Sequence, residues 1–154
     1  MRWEIRGFGA LTGAELYAIL QLRQEVFVVE QKCPYLDADG LDDAALHLFA
    51  SDGARVLACA RIFAPGVRRA EAVIGRVVTS PSLRRTGAGR ELMRRAVAAV
   101  EERHGAVAIW LGAQKYLERF YASFGFVRDG DDYDEDGIPH LPMRRPEDQG
   151  RSRV

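Results

Sequence analysis

Apolar positions recur along this chain with two periods, and the switches between them mark out the elements. Trp3, Ile5 and Phe8 predict a short opening strand. Thr12-Gly13-Ala14-Glu15 has the form of a capping box, in which the Thr12 hydroxyl and the Glu15 carboxylate satisfy exposed amides at a helix start. Leu16, Ile19, Leu20, Arg23, Val26 and Phe27 follow at helical spacing, so the helix is expected to reach about Glu30 before Cys33-Pro34 stops it. Residues 34–43 hold Asp37, Asp39, Gly40, Asp42 and Asp43 and read as loop. Residues 45–51 and 56–63 predict two strands joined at Asp52-Gly53, a hairpin turn signal.

Pro65-Gly66 marks a further turn, and residues 70–79 predict a third strand of this group. Gly75 inside its apolar run points to a bulge or a close backbone approach. The strongest helical pattern covers 87–104, with Leu92, Met93, Ala96, Val97 and Val100 on one stripe and Gly105 as C-terminal cap. A buried strand is expected at 107–111 and a short helix at 116–124, with Leu117, Phe120, Tyr121 and Phe124 on one face and Gly125 ending it. Phe126-Val127 opens another strand, an acidic loop follows, and 141–144 is read as the last strand. The polar stretch 146–154 reads as a frayed tail. The pattern predicts one mixed α/β domain, of the α+β kind, across residues 1–154.

Composition narrows the function. The chain has 154 residues and 17.2 kDa, with 22 basic and 22 acidic side chains and a pI near 6.8. That balance gives no basic excess for nucleic acid. The N-terminus, Met1-Arg2-Trp3-Glu4-Ile5-Arg6, is charged where a signal peptide needs an apolar run. No segment approaches the roughly 20 apolar residues of a membrane span. Cys33 and Cys59 form no C-x-x-C pair. A cytoplasmic, reduced protein that binds neither nucleic acid nor membrane is expected.

Candidate chemistry centres on a strand–turn–helix. Pro81 ends the strand that carries Val77, Val78 and Thr79, and Arg84-Arg85-Thr86-Gly87-Ala88-Gly89-Arg90 leads into the long helix. Amides at a helix N-terminus lack internal partners, and the macrodipole adds positive potential. Glycines let an anion approach that backbone, so the segment is a cradle suited to a diphosphate. An ordinary tight turn with solvated arginines is the competing reading of the same residues. A Rossmann fingerprint is excluded because Leu92 stands where its third glycine belongs, and a P-loop because the Gly-Lys-Ser/Thr end is missing.

Arg-x-x-Gly-x-Gly between an apolar strand and a long helix resembles the acyl-CoA-binding motif of the GNAT N-acetyltransferases. The helix Leu117-Glu118-Arg119-Phe120-Tyr121-Ala122-Ser123-Phe124-Gly125-Phe126 resembles a second motif of that superfamily. Three further segments are similar to its ElaA-like branch: Leu22-Arg23-Gln24-Glu25-Val26-Phe27-Val28-Val29-Glu30-Gln31, Leu111-Gly112-Ala113-Gln114, and Asp134-Glu135-Asp136-Gly137-Ile138-Pro139-His140. The resemblance covers residues 6–145. It implies a mixed, twisted sheet flanked by helices and splayed between its fourth and fifth strands, with acetyl-CoA as co-substrate and a small-molecule or peptide amine as acceptor. Pantetheine is then expected on the backbone of Val77, Val78 and Thr79, and the pyrophosphate on the amides of residues 85–90. Superfamily members often dimerise, so a homodimer is among the expected states. A non-catalytic acyl-CoA-binding or sensing domain is the rival reading.

The resemblance also assigns roles. Tyr121 matches the tyrosine that protonates or hydrogen-bonds the departing thiolate; by spacing alone it is a core aromatic. Gln114 matches a polar contact to pantetheine, or is a plain helix-start residue. The general base is not marked, because 72–78 and 107–113 contain no carboxylate. Glu30 is preferred; Glu71, Asp39, Asp42, His47 and His140 are the other candidates, and water serves if the amine arrives neutral. Arg76 shares a face with Ile74 and Val78 and needs a partner if buried, either a local carboxylate or an acidic group of the substrate. Arg76 and His47 are the candidate acceptor-binding residues. No metal is expected. Asp132-x-Asp134-x-Asp136-Gly137 begins like an EF-hand loop, but Met143 stands where its bidentate Glu belongs, and no zinc spacing occurs.

Overall fold

The computed structural model describes residues 1–147, so the predicted tail lies outside the described residues from 148 onwards. Strands β1 (Arg2–Gly7), β2 (Leu46–Ser51), β3 (Val56–Phe63) and β4 (Ala72–Thr79) pair antiparallel in that order. β4 then pairs parallel with β5 (Ile109–Gln114), and β5 pairs antiparallel with β8 (Ile138–Arg145). The outer edge of β8 takes β6 (Val127–Arg128) and β7 (Tyr133–Glu135). The mixed, helix-flanked sheet is the architecture expected.

Side-chain alternation along the strands sends two sets of apolar residues to opposite faces. On one face Leu48, Ala58, Ala60, Ile62 and Ile74 pack against Leu92, Met93, Ala96 and Val100 of α2 (Ala88–His104), with Tyr121 of α3 (Glu118–Ala122) at the edge of the same cluster. Leu92 and Met93 are fully buried, and each contributes about 1.5–3 kcal/mol by leaving water. On the other face Phe49, Cys59 and Val78 meet Ala18, Ile19, Leu22 and Val26. The first three of these helical residues belong to α1 (Gly13–Arg23), which starts at the predicted capping box: Glu15 N–H donates to Thr12 Oγ1 at 3.0 Å and Thr12 N–H to Glu15 Oε1 at 2.8 Å.

Several expectations are corrected. The helix expected to reach Glu30 changes at Gln24 into a π-helix (Gln24–Glu30), a wider turn that side-chain periodicity does not reveal. β5 lies two to three residues further along than 107–111. The acidic loop is a hairpin: Asp136 (φ 53) and Gly137 (φ 82) form the two-residue turn between β7 and β8. Asp-Gly is the usual sequence for such a turn, because both central residues need positive φ.

Two departures from regular pairing shape the molecule around one cleft. β4 and β5 pair only at Ala72–Ile109 and Val73–Trp110; beyond that they part, and the sheet splays. The pairing of β3 with β4 also slips between Cys59 and Arg61, where Arg76 takes φ 49. The bulge is therefore present in the predicted strand, but the left-handed residue is Arg76 and not Gly75.

Candidate active site

The gap between β4 and β5 opens into a cleft of about 740 Å3. The residues that line it come from the π-helix, the loop after it, β3–β5, α3 and the β7–β8 hairpin. Along one wall the edge of β4 from Ile74 to Thr79 has no strand beside it, so Val77, Val78 and Thr79 present backbone groups to the opening.

At the end of that edge the chain builds the predicted cradle. Arg85 (φ 64) and Gly87 (φ 87) are left-handed, which turns successive amides the same way before α2 begins at Ala88. Thr86 Oγ1 donates to Leu83 O at 2.5 Å and fixes the turn. Among the described residues, the amides of Arg85, Gly87, Gly89 and Arg90 donate to no backbone carbonyl. They are free donors at a helix N-terminus, and an anion fits them. The side chains divide differently. Arg85 is exposed, whereas the Arg90 guanidinium packs over Phe120 and Phe124 and donates to Ser123 Oγ at 3.1 Å. The Arg90 side chain is thus held on the aromatic rings of α3 and its neighbour Phe124, while its amide stays among the free donors of the cradle. Arg84 forks onto Glu30, with Nη1 donating to Oε2 at 2.9 Å and Nη2 to Oε1.

That pairing bears on the preferred base. The Arg84 hydrogen bonds hold the Glu30 carboxyl below its ordinary range, and Glu30 is not among the residues lining the cleft. It is placed to brace the cradle against the π-helix. Glu71 binds Arg144 at 3.2 Å, also away from the cleft. Burial keeps His47 below its ordinary pKa, and its Nε2 meets Asp42 O at 2.8 Å behind the sheet's lining, so it faces no acceptor.

Asp42 belongs to a buried charge network that joins distant parts of the chain. Arg23, 1% exposed, donates to Asp37 Oδ2 at 2.7 Å and Asp42 Oδ1 at 2.8 Å. Arg61 donates to Asp39 Oδ1 at 2.9 Å and Asp42 Oδ1 at 3.0 Å. Arg76 Nε lies 2.9 Å from Asp37 Oδ1, and its Nη2 donates to Asp37 O at 3.1 Å. Of the two partners predicted for Arg76, the local carboxylate is the one found. Burial alone would raise the Asp39 pKa, but hydrogen bonds from Arg61 and the Leu41 amide, with the charges of Arg61 and Arg76, hold it at about 2. Neither Asp39 nor Asp42 is a poised base. The signal for this network lay in arginines within apolar runs, at Arg23 and Arg61, beside an aspartate-rich loop.

Tyr121, Gln114 and His140 all line the cleft. Tyr121 stands edge-on to Phe120 at 5.2 Å and Phe126 at 6.2 Å, and burial pushes its phenol well above the ordinary value. Gln114, the last residue of β5, reaches Gln31 Oε1 at 3.4 Å and pairs in register with His140. His140 is buried in β8, stacked on Tyr133 at 5.6 Å, with Nδ1 2.8 Å from Ile138 O and Nε2 3.3 Å from Glu135. The Tyr133 hydroxyl in turn lies over Gly112, where any Cβ would collide with it. Cys33 ties the loop after the π-helix to the hairpin through Asp136 O at 3.1 Å. Among the described residues no group of three or more His, Cys, Asp or Glu side chains is placed to hold a metal ion, and no helix is long and apolar enough to cross a membrane.

Comparison with known proteins agrees with this fold. The model of the acetyltransferase (GNAT) domain family matches residues 24–146. A UPF0039 protein of Synechocystis is 41% identical over 144 residues, covering 93% of this chain and 94% of that protein. Protein ElaA of Escherichia coli is 40% identical over 147 residues, covering 94% and 96%; its crystal structure superposes with a TM-score of 0.88. The crystal structure of an acyl-CoA N-acyltransferase from Pseudomonas aeruginosa has a TM-score of 0.90 at 45% identity, covering 94% of this chain and 99% of that one.

Proposed function

From its place in the GNAT acetyltransferase family, to which the chain belongs, we propose that it is an acetyl-CoA-dependent N-acetyltransferase acting on a primary amine in a ternary complex. The observation that carries the reading is the juxtaposition of free cradle amides with the unpaired edge of β4 at the mouth of one cleft. The cradle amides receive the diphosphate, and the backbone of Val77, Val78 and Thr79 pairs with the amide groups of pantetheine. That brings the thioester beside Tyr121.

The amine nitrogen attacks the thioester carbonyl carbon, the C–S bond breaks, and the sulfur leaves as thiolate. A backbone amide near Val78 stabilises the oxyanion as it forms. Tyr121, whose phenol burial keeps protonated, donates a hydrogen bond or its proton to the leaving sulfur. The proton shed by the nitrogen leaves toward water or the acidic hairpin turn at Glu135 and Asp136, which lines the same cleft as Gln114.

Calorimetric titration with acetyl-CoA tests the cradle, with Gly87→Glu as control. The wild type is expected to bind and the variant to lose at least 100-fold in affinity, because a carboxylate then occupies the anion site. Tyr121→Phe is expected to lower kcat about 10- to 100-fold with acetyl-CoA affinity nearly unchanged. Normal turnover of Tyr121→Phe removes the acid role; absence of acetyl-CoA binding by the wild type removes the whole reading.

A further inference from the structure

The charges that line the cleft are not mixed at random along its length. Strand register defines two levels. At one, Trp110 of β5 pairs with Val73 of β4, and Val73 pairs with Phe63 of β3. At the other, Gln114 ends β5 opposite His140, which pairs with Tyr133 of the hairpin. The second level is the reaction end, beside the free edge of β4, and its unneutralised side chains are acidic. Asp136 is exposed there, and among the described residues the ion pair that Glu135 forms is with His140.

Between the levels Arg61, in register with Gly75, and Arg76 are balanced, together with Arg23, by Asp37, Asp39 and Asp42. Arg68, at the first level, is in excess of that balance. It stands over the Phe63 ring at 5.3 Å, lines the cleft, is exposed, and forms no ion pair among the described residues. Arg61 lies over the same ring at 5.0 Å and holds its Nε buried without a hydrogen-bond partner. The open Arg68 guanidinium over an aromatic ring, in the lining of the cleft, is a site for an anion.

Resting on the acetyltransferase reading above, we infer that the acceptor is an elongated primary amine with an anionic group, such as a carboxylate, at its far end: the ammonium end is drawn to the Glu135 and Asp136 turn and the anion is held by Arg68 over Phe63. The levels of Trp110 and Gln114 are four residues apart, about 13 Å at roughly 3.3 Å per residue. Even after the reach of an arginine is subtracted, amine and anion are several bonds apart. An ω-amino acid or a short peptide meets that spacing; a simple α-amino acid, with both groups on one carbon, does not.

Matched acceptors test the inference, with CoA thiol release as the readout and acetyl-CoA binding measured on the same protein. The wild type is expected to use 6-aminohexanoate with kcat/KM at least tenfold above both hexylamine and glycine, mainly through KM. Arg68→Ala is expected to bring the ratio of 6-aminohexanoate to hexylamine near one. Arg68→Glu shifts the preference to 1,6-diaminohexane. Arg55→Ala, which removes a surface partner of Glu25 away from the cleft, leaves the ratio as in the wild type. Turnover of hexylamine equal to or faster than that of 6-aminohexanoate overturns the inference and leaves the acetyltransferase reading standing, as does an Arg68→Ala variant that keeps the wild-type ratio. A protein that binds no acetyl-CoA, or binds it and acetylates none of these amines, overturns the inference with the reading it rests on.

Discussion

Two regions of the cleft are made in opposite ways. The cradle at residues 84–90 is contiguous in sequence, exposed, and built from backbone amides whose direction two left-handed residues fix. The other region is assembled from α1, the 34–43 loop, β3 and the bulged β4, through arginine and aspartate side chains that are mostly buried. Each is positively charged or donor-rich, yet they carry different burdens. The cradle can change with little cost to folding because its donors face water. The network cannot, because each buried charge is compensated only by the others.

The largest effect expected from this contrast is on stability. Arg23→Met leaves Asp37 and Asp42 buried without a principal partner and is expected to cost about 3–5 kcal/mol in denaturant unfolding. A cost below about 1 kcal/mol breaks the contrast. Gly87→Glu, by comparison, forces a side chain into a left-handed position at roughly 1–2 kcal/mol and is expected to abolish the proposed acetyl-CoA binding. If it costs as much stability as Arg23→Met, the cradle is structural as well.

The smallest effect is the pH dependence. Asp39 has a folded pKa of about 2, below its ordinary 3.8, so its stabilisation is complete above about pH 4 and is lost as pH falls toward 2. His47, held neutral by burial, adds loss of the same sign: below 6.5 the unfolded chain takes up a proton that the folded one resists. Urea unfolding at pH 7.5, 5.5 and 3 is expected to give a small decline and then a steep one. A stability maximum on the acid side contradicts both assignments.

The difference between the two regions also explains what was legible. The free amides before α2, and Tyr121 and Gln114 as residues beside one cleft, could be marked on the sequence because each belongs to a short contiguous motif around an element whose periodicity is strong. The base candidates could not be sorted, since Glu30, Asp39, Asp42 and His47 look alike until their partners are known. Glu30 is taken by Arg84, and the other three are tied into the arginine network. The burial of His140 was not legible, because residues 128–140 read as an acidic loop and the hairpin strand that buries it was hidden.

Sequence alone determined the α/β layering, the capping box, the long amphipathic helix and the turn of free amides before it, because periodicity, caps and helix-terminal amides are local properties of the backbone and its nearest neighbours. Tertiary structure alone decided where β4 and β5 part, that Arg76 and not Gly75 carries the bulge, and which arginine keeps a free charge. Those depend on pairing energies between residues far apart in the chain, and a charge is free or spent only when every neighbour it meets has been placed.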